Sequence, residues 1–230
     1  MWNSLSKVLL AVILVVGALA AYLFWDYAAQ YRRADESDKK AEAVSKERAG
    51  ELARLKKAQD EMLKSLQKEV EKGEVTISQL ADRLSVQILD KILFASGEAT
   101  ISAKGRGVLT RVGKVLADAR GKDKVIRIEG HTDNVPIGES LREKFPTNWE
   151  LSTTRATNVV RLLIESSKIP PDALEAAGLG EHHPVAGNDK PEGRRQNRRI
   201  EIILYPSVKS LAEELPKTKA PPAGAGKPAS

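Results

Sequence analysis

The sequence predicts an α/β (α+β) domain of two layers, a βαβαβ-type mixed sheet with helices packed on it, preceded by a membrane-spanning helix and a long helical stalk. Three observations predict this. Residues 8–25, "VLLAVILVVGALAAYLFW", carry no charge; residues 28–72 are rich in Ala, Glu, Lys, Gln and Arg without a proline; and from Glu74 strand and helix patterns alternate.

Roughly 18 apolar residues at about 1.5 Å each approach the thickness of a bilayer core, so residues 1–27 read as a single-pass anchor or an uncleaved signal. Trp2 on one side and Tyr22, Trp25 and Tyr27 on the other would form an interfacial aromatic belt. The rival reading is a cleaved signal peptide, because Lys7 precedes a run containing Ala18-Leu19-Ala20, and the mature chain would then be a soluble periplasmic protein. Against it, the run continues through Trp25. Lys7 and the terminal amine oppose Arg32, Arg33, Lys39 and Lys40, so charge alone leaves the orientation undecided.

Residues 28–73 read as a solvated helical stalk. Leu52, Leu55, Met62 and Leu66 keep a 3,4 spacing, although Gln59 and Glu69 fall on the same seam, so a homodimer through a coiled coil stays open. In residues 74–206, "VTIS" and "LSVQILDKILF" read as strands. "SAKGRGVLTRVGKVLADARG" is a helix opened by Ser102 and closed by Gly121, and "KVIRIEG" is a strand. "LSTTRATNVVRLLIESS" is a second helix with Ser152 at its cap, "IPPDA" a turn, and "LEAAGLG" and "NRRIEIILY" the last two strands. The Pro/Ala/Lys tail, 207–230, has no residue set able to build a core and is expected to be disordered.

Composition excludes several function classes. With 41% apolar residues, only part of the chain can hold a core, and no cysteine is present for disulfides, thiolate metal sites or lipidation. Lys and Arg outnumber Asp and Glu by 13 to 11 in residues 1–73, 20 to 18 in 74–206 and 4 to 2 in 207–230, so the net +6 is spread evenly. Aromatics are only 4%, so a nucleic-acid partner is not expected. There is no Gly-x-Ser-x-Gly elbow and no phosphate loop, so the chain does not read as an enzyme and calls for no cofactor. His131, Asp133, His182 and His183 lack metal-ligand spacing, and no metal site is expected. Phosphate binding by Arg194, Arg195, Arg198 and Arg199 is a minor reading.

The stretch "IRIEGHTDNVPI", 126–137, runs a strand into His131, Thr132 and Asp133. An aspartate there often caps a turn through nearby backbone N–H groups, and an arginine such as Arg155 is usually solvated. His131 reads as structural, with its nitrogens hydrogen-bonded.

"EGHTDNVPI", "TNWELSTTRATNVVRLL" and "GLGEHHPVAGNDKPEGRRQNRRIEIIL", in that order, resemble the OmpA-like peptidoglycan-binding domain in the variant of MotB-type flagellar motor proteins. The resemblance covers roughly residues 74–206 and implies non-covalent binding of the diaminopimelate residue of a wall stem peptide. Asp133 matches the family's acceptor for the ammonium and Arg155 its donor to the carboxylate. Asn148 matches a further polar position, and Thr132, Asn134 and Arg198 complete the candidate set. Asp133 after a strand and Arg155 in the first turn of the helix opened by Ser152 would place both at an edge of the sheet layer.

The expected function is a tether of the inner membrane, or of a complex in it, to the wall, with the C-terminal domain in the periplasm. The alternative is a stator-type subunit of an ion-driven motor with a multi-span membrane partner. Two departures bear on this: Phe94 is followed by Ala95 where many members place an acid, and the apolar run holds no acid, Asp26 lying at its far end.

Overall fold

The computed structural model describes residues 4–121 and 124–207. Trp2 of the expected aromatic belt and the tail from residue 208 lie outside these. Helix α1, Ser4–Ser65, is continuous. Its N-terminal part, up to Glu51, is one compact unit, and a second begins at Leu52. In the first unit Val8, Ile13, Val16, Leu23 and Trp25 are all exposed, so the helix offers water an apolar surface long enough to cross a bilayer. The flank beyond it is polar, with Asp35 and Lys39 paired at 2.7 Å along the helix.

In the second unit α2 (Gln67–Glu71) leads into a hairpin of β1 (Val75–Leu80) and β2 (Arg83–Leu89). Then follow α3 (Asp90–Leu93), α4 (Ala103–Ala119), β3 (Lys124–His131), α5 (Asn148–Ser167), β4 (Leu174–Gly178), α6 (Pro191–Asn197) and β5 (Arg199–Pro206). Among the described residues the strands form one mixed sheet in the order β1-β2-β5-β3-β4. β3 and β4 are parallel and joined by α5 as the crossover, while β5 inserts antiparallel between β2 and β3. The expected two-layer architecture is therefore present.

Alternation explains the layers. Leu84, Val86 and Ile88 of β2, Ile126 and Ile128 of β3, and Ile200, Ile202 and Leu204 of β5 are buried with Leu109, Val112 and Leu116 of α4 and Val159 and Leu163 of α5. Ser102 caps α4, its hydroxyl accepting from the Gly105 N–H at 3.0 Å, and Gly121 follows with φ +64°.

Three elements differ from the sequence reading. The strand expected to run through Phe94 stops at Leu89, which pairs with Arg199, the first residue of β5. Beyond it Ile92 and Leu93 reach the core from the single turn of α3, and Phe94, just past that turn, does so from an isolated bridge to Ile101. Helix α6 was not expected in the polar "PEGRRQN".

The third difference concerns the stalk. Leu55, Ala58, Met62 and Leu66 are buried in the core of the domain, while Leu52 is exposed. Arg111 of α4 fixes this arrangement, donating to the Ser65 carbonyl and to Glu69 at 2.6 Å each. Three of the four residues of the anticipated coiled-coil seam are thus used within one chain, and the folded unit starts well before residue 74. Buried Leu or Met to Ala changes cost about 2–5 kcal/mol. Met62→Ala and Leu66→Ala should each lower the urea midpoint of the domain's transition, and residues 74–207 alone should unfold at lower urea than residues 52–207.

Candidate functional site

The carboxyl ends of β3 and β4 come very close to α5. A Cβ on Gly130 would strike the Ser152 carbonyl, and one on Gly178 would strike the Thr153 hydroxyl. Glycine at both positions lets the helix start against the strand ends. The helix begins one turn earlier than expected: Thr147, not Ser152, is the cap. Its hydroxyl accepts from the Trp149 N–H at 3.1 Å, and Glu150 returns a bond from the Thr147 N–H at 2.8 Å. Ser152 is instead buried inside the helix, accepting from Gly180 N–H at 3.1 Å and donating to the Trp149 carbonyl at 3.0 Å, which ties the loop after β4 to α5.

Asn148, in the first turn and buried, donates its amide to the carbonyls of Asp133 (3.3 Å) and Val135 (3.1 Å). It thereby fixes the turn that carries Asp133. Thr132 N–H donates to the Gly180 carbonyl at 2.9 Å, and the buried Thr132 hydroxyl has no hydrogen-bond partner among the described residues. Asn134 is exposed.

Two acid–arginine pairs form the centre. Asp133 accepts from the Val135 N–H at 3.3 Å through Oδ1 and pairs through Oδ2 with Arg198. The turn-capping role and a charged contact thus coexist in one side chain. Arg155 lies beyond the first turn of α5, contrary to expectation, because the helix starts at Asn148. It is 3% exposed, donates to the Glu98 carbonyl at 2.8 Å, pairs with Asp90 at 3.0 Å and lies 4.9 Å over the Phe94 ring. Asp133 and Arg155 therefore share a cluster but not a salt bridge.

Asp90 is the residue that sequence reasoning missed. Hidden in "VQILDKILF", it looked like part of a strand, and its only signal was a charge amid apolar residues. Ala95 stands where an acid was sought, and Asp90 lies on the wall of the same pocket. Asp90, Lys91, Phe94, Ala95, Ser96, Arg195 and Arg198 line a pocket of about 370 Å³.

The other candidates disperse. Arg194 donates to the Asn188 carbonyl at 2.6 Å, Arg195 pairs with Glu192 at 3.1 Å, and buried Arg199 lies 3.6 Å from Glu201, so the four arginines do not converge as a phosphate site. His131 is buried as expected, but neither ring nitrogen has a hydrogen bond among the described residues; Nε2 is 3.6 Å from Glu129. Glu129, His131 and Glu201 lie together on the sheet face away from α5, with Arg127 (2.8 Å) and Arg199 (3.6 Å) already neutralising the carboxylates.

Residues 93–198 match the OmpA family. Motility protein B of Bacillus subtilis is 36% identical over 159 residues, covering 66% of this chain and 59% of that protein's length. A solved MotB-like protein of Desulfovibrio vulgaris is similar with TM-score 0.61 and 27% identity, over 70% of this chain and 96% of that one. The cell wall anchor of the type VI secretion system (T6SS) of Pseudomonas aeruginosa has TM-score 0.56 and 31% identity, over 64% of this chain and 97% of that one. The class defined by the fold is thus a two-layer α/β module with a charged cluster at its strand ends. The chain belongs to the OmpA family.

Burial pushes the Asp90 carboxyl up to about 6, against the opposing pull of Arg155 and Arg198, and burial likewise lowers Arg155. The native state therefore holds this proton more tightly than the unfolded chain, whose value is near 3.8. Asp90's contribution to stability is full below that value and is lost as pH rises through about 6. The loss is on the order of 3 kcal/mol. Urea unfolding of native protein and Asp90→Asn across pH 4–7 should show this extra decline with pH in the native protein and its absence in the variant.

Proposed function

We propose that this chain is a non-enzymatic tether, anchored in the bacterial inner membrane by the apolar part of α1, whose periplasmic domain grips peptidoglycan at the strand-end cluster. The single observation that carries the reading is the pair of acid–arginine contacts, Asp133 with Arg198 and Asp90 with Arg155, gathered beside one open pocket. A diaminopimelate stem presents an ammonium and a carboxylate on one carbon, and a receptor for it needs an acceptor and a planar cationic donor close together. Asp133, Arg155, Asn148 and Arg198 supply that set, with Thr132 and Asn134 on the same turn.

Export of the domain follows from this function, since peptidoglycan lies outside the cytoplasm, and it resolves the charge conflict around α1. Individual contacts need not be strong, because membrane anchoring holds the domain at high effective concentration near the wall.

The full-length chain in detergent should pellet with isolated diaminopimelate-type peptidoglycan. Asp133→Ala and Arg155→Ala, shown by circular dichroism to be folded, should each reduce the pelleted fraction at least tenfold. Native protein left in the supernatant would remove the tether reading.

The kinship with Motility protein B favours a second reading, a stator-type subunit with a multi-span partner and Asp26 as the proton site. Asp26 accepts from Gln30 at 2.8 Å on the exposed helix surface. On this reading Asp26→Asn abolishes motility at normal protein level; on the tether reading motility is unchanged.

A further inference from the structure

The sheet face turned away from α5 carries a second group of ionisable side chains. Glu129 and His131 alternate onto that face of β3, and β5 places Glu201 directly opposite Glu129. Like charges directly opposite on paired strands are destabilising, so this pair calls for a cation close by. One ligand atom from each of Glu129, His131 and Glu201 lies within 4.8 Å of the other two.

His131 is a second, independent sign. It is 3% exposed, yet neither ring nitrogen has a hydrogen bond among the described residues. Nε2 is turned to the acids, 3.6 Å from Glu129 Oε2. A buried polar group without a partner costs free energy, and a bond from an imidazole nitrogen to an ion removes that cost. The His131 ring, aided by Arg127 and opposed by burial, holds the Glu129 carboxyl below its usual range, so this acid is ionised as a ligand must be.

Arg127 and Arg199 balance the two acids without engaging all their oxygens. Arg127 lies 2.8 Å from Glu129 Oε1, while Oε2 is the oxygen nearer His131. The Ser85 hydroxyl donates to Glu201 Oε1 at 2.8 Å, and Arg199 approaches Oε2 only to 3.6 Å, beyond hydrogen-bond length. Arg199 Nη1 donates elsewhere, to the carbonyls of His183 (3.3 Å) and Asn197 (3.4 Å). The first of these bonds draws a fourth donor to the group: exposed His183, whose ring centre is 6.4 Å from that of His131. Two imidazoles on one tetrahedral ion have centres roughly 5 Å apart, a gap that rotation of the exposed ring can close.

We propose that Glu129, His131, Glu201 and His183 form a site for a divalent ion of the zinc class, with two imidazole and two carboxylate ligands. Mixed nitrogen and oxygen donors suit zinc, whereas calcium and magnesium take oxygen shells. Arg127 and Ser85 are positioning residues that hold the carboxylates from behind. The two guanidinium charges oppose the ion and set its affinity below that of a thiolate zinc site. Sequence spacing concealed this group because its members come from β3, β5 and the loop between β4 and α6. The site would tie the end of β3 to the start of β5, independently of any wall ligand.

The test is titration of the untagged full-length chain in detergent with zinc chloride against a chromophoric chelator, and with cobalt(II) as a spectroscopic substitute. Native protein should bind one zinc per chain, give the strong visible absorption of tetrahedral cobalt, and unfold at higher temperature with zinc than without. Glu129→Gln and His183→Ala, each shown by circular dichroism to be folded, should weaken zinc at least tenfold and lose the cobalt band. Exposed His183→Ala covers the case in which changes at His131 or Glu129 do not fold. His182→Ala should bind as the native chain does, because His182 stacks on Trp149 at 5.1 Å. A native chain that binds no zinc, native affinity in folded Glu129→Gln or His183→Ala, or loss of binding in His182→Ala would overturn the four-ligand site.

Discussion

The close approach of α5 to the ends of β3 and β4 is the constraint on which the rest of the site depends. It exists because Gly130 and Gly178 present no side chain to the Ser152 and Thr153 region of the helix. Through it Ser152 reaches Gly180, Asn148 reaches the carbonyls of Asp133 and Val135, and the turn after β3 is held at three points. A side chain at either glycine would push the helix outward and dissolve the contacts that aim Asp133.

Within that frame one ion pair, Asp90 with Arg155, sits largely out of water, and a second, Asp133 with Arg198, is open to solvent on its arginine side. Such pairs rarely add much stability, since desolvation offsets most of the attraction. The raised Asp90 carboxyl and the lowered Arg155 express the same cost from both partners. What the pairs provide is direction: planar guanidinium groups fixed against carboxylates, with the open edge of one of them turned to a pocket.

The end of α1 illustrates how one helix serves two environments. Residues 8–25 are apolar all round, its middle is polar all round, and its last turns carry one stripe, Leu55, Ala58 and Met62, which together with Leu66 just past its end completes the domain core. A stripe of this spacing looks the same in sequence whether it meets a second chain or the chain's own sheet. The 3,4 periodicity announces a buried face but not the identity of what buries it.

The sequence by itself determined the layers, the five strands, the two long helices α4 and α5 and the apolar anchor-length run, because alternation and helical periodicity are local properties, while the candidate roles of Asp133, Asn148, Arg155 and Arg198 rest on the resemblance to the OmpA-like domain. Caps were less legible: Thr147 and Ser152 are both good cap residues, and only the approach of Gly180 decided that Ser152 belongs inside the helix. Asp90 was illegible for a different reason. Its partner Arg155 is distant in sequence, and a charged residue in an apolar run acquires meaning only when the fold supplies the opposite charge. The tertiary structure decided which acid meets which arginine, since ion pairing is a matter of distance in space and the chain order carries no record of it.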